Sequence, residues 1–329
     1  MMIKCCKVTL AEARRYLAND DQLCYARVGE LAEGTGRGQR VVDVFNGTGL
    51  AFTVTPDRAM NVVECSFKGL PLVFRTPGGH RHAVEGDFLR GWTGGLFTTC
   101  GLRNAGSPSG GEGLHGRIST EAAEMLSVTR SDEGVLKVSG TIREGLLFGP
   151  NLVLKRTITT AFGDNRIVVE DEVSNRAAKP EYVEVIYHSN FGYPLVCPDT
   201  EFECAEHKVE ARDDWAEEHI AQWQQFDAPV PGFREMCYRH FLPAGADGLA
   251  RMRILNRKLG VAVTVAYDTA TLPLIVQWKN CGANEYVLGL EPSAASLNGR
   301  EADIASGMMP KLEPGESIKF HVEYLFEEI

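Results

Sequence analysis

The sequence contains no apolar run close to the ~20 residues that a membrane-spanning helix requires. Its apolar stretches are short and are interrupted by Gly, Pro or charged residues. It also contains no long run of Lys or Arg, and its formal net charge of −10 disfavours binding to a phosphate backbone. We therefore expect neither a membrane nor a nucleic acid as a partner.

Paired cysteine motifs are absent as well. The chain has nine cysteines, an odd number, and apart from the adjacent Cys5 and Cys6 they are scattered without a CxxC pair. A reducing compartment fits this pattern better than a disulfide framework does. Because the N-terminal residues also lack the apolar segment of a signal peptide, we predict a cytoplasmic protein whose cysteines are small buried apolar residues.

Helix signals are few, and strand signals dominate. Thr9 and Glu12 have the spacing of a capping box, which predicts a short helix over about residues 9–18. Most of the remaining chain consists of short β-branched or alternating segments separated by Gly, Pro, Asn and Asp. Many short strands without long helices between them favour an all-β protein with antiparallel sheets packed face to face.

No change in composition marks a domain boundary, so we predict a single domain over residues 1–329. Residues 205–240 are more polar and contain Trp215, Trp223 and Phe226. This composition is typical of an insertion that is helical or irregular. We favour a packed surface segment over a substrate lid for it.

Two of the eight histidines lie in unusual contexts. His115 follows a glycine-rich segment, where the backbone can approach a ligand closely because glycine has no Cβ. His188 ends a strand-like run, and sites are commonly found in the loops at strand ends. Imidazole exchanges protons near neutral pH, and the aromatic residues near His188 can stack on a sugar.

A third candidate is Glu291, which ends the apolar run Leu288-Gly289-Leu290. A buried carboxylate is unfavourable without a partner. It either forms an ion pair, for example with Arg300 or Lys279, or acts as a base whose pKa is set by partial burial.

These motifs together resemble those of the galactose mutarotases, or aldose 1-epimerases. Leu114-His115-Gly116 resembles their first histidine motif, His188 with Asn190-Phe191 resembles the second, and Leu290-Glu291-Pro292 resembles their Glu-Pro motif, in the same order. The residues from Pro56-Asp57-Arg58 to His115-Gly116-Arg117 are also similar to an uncharacterised bacterial group of aldose-epimerase-like proteins. That second resemblance extends over most of the chain.

The resemblance implies an antiparallel β-supersandwich and an isomerase that interconverts the anomers of a monosaccharide or sugar derivative. It also implies that Glu291 is the base, His188 the acid, and His115 a hydrogen-bonding residue near the ring oxygen. No cofactor and no metal are expected. The candidate substrate-binding residues are Asp57, Arg58, Arg117, Asn190, Gln277 and Trp278, although the arginine that contacts the substrate stays undecided among several.

Two alternatives remain open. His80 and His82 have the spacing of two residues on one face of a strand, and with His115, His188 or Glu291 they could bind a divalent metal in a sugar isomerase or lyase. The other alternative is a carbohydrate-binding protein that has lost turnover. The sequence leaves open the identity of the sugar, its phosphorylation and whether the chain forms a homodimer.

Overall fold

A computed structural model describes residues 9–329, so Cys5 and Cys6 lie outside the described residues. Its named strands pair only in antiparallel fashion, which confirms the predicted all-β class. Four short helices accompany them: α1 (Leu10–Ala13), α2 (Phe88–Gly91), α3 (Asp214–Glu218) and α4 (Arg300–Ser306). None of the helices in residues 9–329 is long and apolar enough to cross a membrane.

The strands form three large sheets. The first has the order β1-β2-β3-β4-β5, with β1 at Tyr25–Glu30, β2 at Arg40–Phe45, β3 at Leu50–Thr55, β4 at Asn61–Phe67 and β5 at Leu70–Pro71. The second has eight strands in the order β14-β17-β18-β22-β10-β9-β8-β7. Their bounds are β7 Glu124–Arg130, β8 Val135–Gly145, β9 Asn151–Ala161, β10 Asp164–Asn175, β14 Glu201–Cys204, β17 Leu249–Asn256, β18 Val261–Asp268 and β22 Ser317–Glu328.

The third sheet has seven strands and carries the candidate site. Six of them follow the order β15-β16-β19-β20-β12-β6, and β13 pairs with β20. Their bounds are β6 Thr98–Leu102, β12 Glu184–His188, β13 Asn190–Phe191, β15 Lys208–Ala211, β16 Met236–Phe241, β19 Leu274–Gly282 and β20 Glu285–Ser293. A small separate sheet pairs β11 (Glu181–Tyr182) with β21 (Lys311–Leu312).

The seven-stranded and eight-stranded sheets pack against each other across the main core. The hydroxyl of Tyr187 on β12 donates to Asp171 Oδ2 on β10 at 2.6 Å. Asp171 also accepts from Arg156 Nε on β9 at 2.9 Å, and both charged side chains are almost completely buried. Because successive residues of a strand point to opposite faces, Tyr187 in the core places its neighbour His188 on the outer face of the sheet.

The capping box of the N-terminal helix is present: the Thr9 side chain accepts from the Glu12 amide, and the Glu12 carboxylate accepts from the Thr9 amide. The helix ends at Ala13 and is followed by turns, so it is shorter than predicted.

Residues 205–240 are partly incorporated into the sheet. Their ends contribute β15 and most of β16, and α3 lies between these strands. Phe226 is buried against the main core.

All seven cysteines of the described chain are free, and five of them are buried.

Candidate active site

Glu291, His188 and His115 lie together on the face of the seven-stranded sheet that points away from the core. Strand β20 pairs with both β12 and β13, which places Glu291 opposite the junction where His188 lies. Glu291 Oε1 is 3.2 Å from His188 Nδ1. The ring centroids of His188 and His115 are 5.2 Å apart. Strand pairing therefore brings His188 and Glu291 together, and the bridge between Gly101 of β6 and Gly116 brings the loop of His115 to them.

Gly289, two residues before Glu291 on β20, makes room for the carboxyl group. A Cβ atom at Gly289 would lie 2.3 Å from Glu291 Oε1 and 2.9 Å from Trp278 Cβ. Any larger residue at this position would displace the carboxyl group, because these distances are shorter than a nonbonded contact allows.

The hydrogen bonds of Asn190 fix the tautomer of His188. The Asn190 side-chain nitrogen donates to the carbonyl oxygens of His188 at 2.6 Å and of Gly95 at 3.2 Å. Its side-chain oxygen therefore faces His188 Nδ1, 2.6 Å away, and accepts the proton that Nδ1 carries. Neutral His188 consequently has Nε2 as its proton acceptor.

His115 is held in the same tautomer by its own loop. Its Nδ1 donates to the carbonyl oxygen of Ala105 at 2.8 Å, which leaves Nε2 as the acceptor of the neutral ring. Burial lowers the pKa of His115, and the bond to Ala105 opposes this shift.

Burial shifts the pKa values of Glu291 and His188 in opposite directions. It raises the pKa of Glu291 well above its ordinary value, and the negative charge of Glu235 adds to this shift. It lowers the pKa of His188 to about 3, and His115 contributes in the same direction. Since Glu291 Oε1 is buried and has no hydrogen-bond partner within residues 9–329, a neutral, protonated Glu291 beside a neutral His188 is the favoured state.

Aromatic side chains enclose this pair. The ring of Trp92 lies 5.1 Å from the His188 ring and 5.7 Å from the Trp278 ring. Trp278 is 5.5 Å from His188, and Phe88 of α2 is 4.6 Å from His115. Trp278, a predicted substrate-binding residue, thus lies beside the pair, whereas Trp92 and Phe88 were not among the predicted site residues.

A second carboxylate, Glu235, lies beside the site and was also missed. Trp278 Nε1 donates to Glu235 Oε2 at 2.8 Å, and the charge of Glu235 influences the pKa values of both Glu291 and His115. Arg212 Nη1 is 3.3 Å from Glu235 Oε1. The sequence offered no signal for this group, because Glu235 precedes a strand whose position in the sheet was not predicted.

Asp57 and Arg58, two of the predicted substrate-binding residues, have hydrogen-bond partners within the protein. The carboxylate of Asp57 accepts from the backbone amide of Arg40 at 2.7 Å and from Arg40 Nε at 2.8 Å. The buried Arg58 side chain donates to the carbonyl oxygens of Ser119 and Gly91 at 2.9 Å. Burial lowers the pKa of Arg58 to about 10.

Three other predicted binding residues are also engaged within the protein. The amide of Gln277 bonds to His240 Nε2 at 3.0 Å and donates to the carbonyl oxygen of Trp223 at 2.8 Å, on the face of β19 opposite Trp278. Asn190 contacts His188 but uses both ends of its amide for protein groups. Arg117 Nε donates to Glu112 at 3.0 Å, and its side chain is largely exposed.

His80 and His82 do not join the three central residues. His80 Nε2 is 3.0 Å from Glu64 Oε1, and His82 Nε2 is 2.8 Å from the carbonyl oxygen of Arg37. Within residues 9–329, no group of three or more His, Cys, Asp and Glu side chains is arranged to hold a metal ion.

The cluster combines an enclosed, proton-bearing carboxyl group with two imidazoles that each have a free acceptor nitrogen. Aromatic rings surround it, and a polar pair, Glu235 with Arg212, lies beside it. This arrangement can move protons between two oxygen atoms of a hydroxylated ligand while aromatic faces contact its C–H groups.

Comparisons with solved structures identify the fold. A Klebsiella pneumoniae protein provisionally assigned as an aldose 1-epimerase superimposes with a TM-score of 0.85 and 22% identity, over 94% of this chain and 86% of the other. A galactose mutarotase-like protein from Clostridium acetobutylicum gives a TM-score of 0.67 and 14% identity, over 94% and 100% of the chains. Galactose 1-epimerase from Lactobacillus acidophilus gives a TM-score of 0.63 and 13% identity, over 93% of this chain and 99% of the other.

These likenesses confirm the predicted galactose mutarotase-like fold. No curated protein matches the sequence. The model of one protein family, the domain of unknown function DUF4432, matches residues 36–325. This match extends over most of the chain, and the protein therefore belongs to the DUF4432 family.

Proposed function

We propose that this protein is an aldose 1-epimerase that interconverts the anomers of a monosaccharide by general acid–base catalysis. The observation that carries the proposal is the contact of 3.2 Å between Glu291 and His188, whose pKa values are shifted in opposite directions. Titratable groups whose environments separate their pKa values are typical of acid–base pairs.

The partnerless Oε1 of Glu291 suggests how the substrate activates this pair. An anomeric hydroxyl that donates to Oε1 would stabilise the ionised carboxylate, so that the carboxyl proton leaves Glu291. Because His188 Nδ1, the ring nitrogen beside Oε1, already carries a proton, His188 receives this proton at Nε2, by relay through substrate hydroxyls or solvent and not across the 3.2 Å contact. Glu291 then removes the anomeric hydroxyl proton, and His188 protonates the ring oxygen. The ring opens to a carbonyl, which rotates and recloses as both protons return.

His115 and the aromatic rings have supporting roles in this proposal. His115 Nε2 accepts a hydrogen bond from the substrate beside His188. Trp278 and Trp92, whose rings lie 5.5 and 5.1 Å from the His188 ring, contact the apolar face of the sugar.

The polar pair beside the site favours a neutral sugar over a phosphorylated one. The positive charge of Arg212 is already compensated by Asp213 at 3.0 Å and by Glu235 at 3.3 Å. A phosphate would bring two further negative charges next to these carboxylates. Hydroxyl groups, in contrast, can donate to Glu235 and accept from Arg212 without a net charge.

A screen of sugars by magnetisation-exchange NMR tests the proposal. Free and 6-phosphorylated aldoses are compared with and without protein, and exchange between the two anomer signals is measured. We expect faster exchange for a neutral aldose. If sugars bind but none of them shows faster anomer exchange, the enzymatic proposal is refuted and the carbohydrate-binding alternative is favoured.

A further inference from the structure

The loop that carries His115 is tied to strand β12 through one buried carboxyl group. Glu184 begins β12, four residues before His188 and on the same face of the strand. Its Oε2 accepts from the backbone amide of Ala105 at 2.7 Å. The carbonyl oxygen of Ala105 in turn accepts from His115 Nδ1 at 2.8 Å. Glu184 and His115 are therefore connected through the two polar groups of a single residue.

His115 needs such a support because its backbone is strained. Its φ angle is 61°, in the left-handed region that non-glycine residues rarely adopt. Its amide donates to Gly106 at 2.8 Å, and its carbonyl oxygen accepts from Gly101 at 3.1 Å. These bonds fix the main chain, whereas the bond from Nδ1 to Ala105 fixes the tautomer of the ring and helps to fix its direction.

We propose that Glu184 is a positioning residue that holds Ala105 in place and thereby sets the tautomer and orientation of the His115 ring. The expected effect on turnover depends on the function proposed above, but the effect on His115 itself does not. Glu184 sets the ring that accepts a hydrogen bond from the substrate, and it does so without contacting the substrate.

The protonation of Glu184 adds a pH dependence to this support. Burial raises the pKa of Glu184 to about 7, with Asp303 adding to the shift and Arg300 opposing it. Its partner on β6, Leu102, is uncharged. Above this pKa the carboxylate binds the Ala105 amide by a charge-assisted hydrogen bond, which is stronger than the bond to a neutral carboxyl group.

The chain provides a matched control in Glu144. It is also buried, its pKa is also raised to about 7 by burial, and it accepts from a backbone amide, that of Leu102, at 2.8 Å. Its hydrogen bond holds Leu102 of strand β6, next to Gly101, which bonds to the main chain of His115 but not to its ring. Substitutions at Glu144 therefore reproduce the general consequences of losing a buried carboxyl group.

The test measures the tautomer of His115 by long-range proton–nitrogen NMR in ¹⁵N-histidine-labelled protein, without any substrate. In Glu184→Ala, the His115 signals should change from the pure Nδ1-protonated form to a mixture of tautomers, whereas Glu144→Ala should leave them unchanged. Glu184→Gln retains an acceptor oxygen and should restore the wild-type tautomer. In turnover assays, Glu184→Ala should lower kcat by about 10–100-fold, the usual effect of a misplaced catalytic group, and change KM less.

If Glu184→Ala does not fold, the glutamine variants decide. Wild-type His115 signals should shift with pH near 7, and Glu184→Gln should remove that response while Glu144→Gln keeps it. The proposal is overturned if His115 in Glu184→Ala keeps its wild-type tautomer, or if the Glu184 and Glu144 variants alter it equally. Absence of anomer exchange in the wild-type protein would refute the enzymatic function, yet the NMR comparison would still decide the role of Glu184.

Discussion

Replacing Glu291 by glutamine tests the proposed chemistry most directly. The substitution keeps the size of the side chain and one acceptor oxygen, so it fits beside Gly289, but it removes the carboxyl group that accepts the anomeric proton. Loss of a positioned acid or base typically lowers a rate by about 10²–10⁴-fold, and we expect kcat to fall within this range. Glu235→Gln is the matched control, because Glu235 bonds to Trp278 and lies beside the central pair. It should raise KM more than it lowers kcat.

The pH dependence of the same variants checks the protonation state. The pair is active while it carries one transferable proton, either on the Glu291 carboxyl group or on His188 Nε2. A second proton is added only near the lowered pKa of His188, about 3. The proton is lost as the pH rises through the raised pKa of Glu291, so the wild-type rate should fall on the alkaline side. Glu291→Gln should lose this alkaline decrease along with most of its activity.

Polarimetry of a freshly dissolved single anomer, corrected for spontaneous exchange, measures these rates. The reasoning fails if Glu291→Gln retains a near-normal rate on the true substrate, or if Glu235→Gln lowers kcat as much as Glu291→Gln does. In the first case another group supplies the base. In the second, the exposed carboxylate and not the buried one performs the proton transfer.

Three further predictions concern stability and metal content. Asp171→Asn leaves Arg156 as an uncompensated buried charge and should lower the free energy of unfolding by about 3–5 kcal/mol in urea denaturation, whereas Asp247→Asn, at an exposed ion pair, should change it little. If Asp171→Asn changes the free energy of unfolding no more than Asp247→Asn does, the assigned burial of the Arg156–Asp171 pair is wrong. Burial raises the pKa of Glu144 to about 7 in the folded state, so folding favours the protonated form of this carboxyl group. Its contribution to the free energy of unfolding is therefore fully present below pH 4.5 and is lost as the pH rises through about 7, which lowers that free energy by about 3 kcal/mol. The free energy of unfolding should therefore differ less between pH 5 and pH 8 in Glu144→Gln than in the wild-type protein. An equal difference in the two proteins would count against the raised pKa of Glu144. Elemental analysis should find no stoichiometric metal, and about one zinc, manganese or iron per chain, lost in His80→Ala, would instead support the isomerase or lyase alternative.

Local patterns in the sequence determined the class of fold. The alternation of β-branched residues and the turn residues between them predicted many short strands, and the structure has such strands, for example β4 at Asn61–Phe67. Period-two alternation is a local property of the strand, so it can be read without knowledge of the partner strand. The motifs around His115, His188 and Glu291 were equally visible, because each chemical group occurs in a short and distinctive run.

Only the tertiary structure decided which other residues accompany these three. Glu235 reaches the site because β16 pairs with β19 and brings it to the Trp278 indole, a contact across 43 positions in the sequence. Asp57 and Arg58 had the polar character of binding residues, but folding placed Arg40 and backbone carbonyl groups next to them. A charged side chain is equally suited to bind a ligand or the protein itself, and strand register, which depends on contacts distant in sequence, determines which partner it meets.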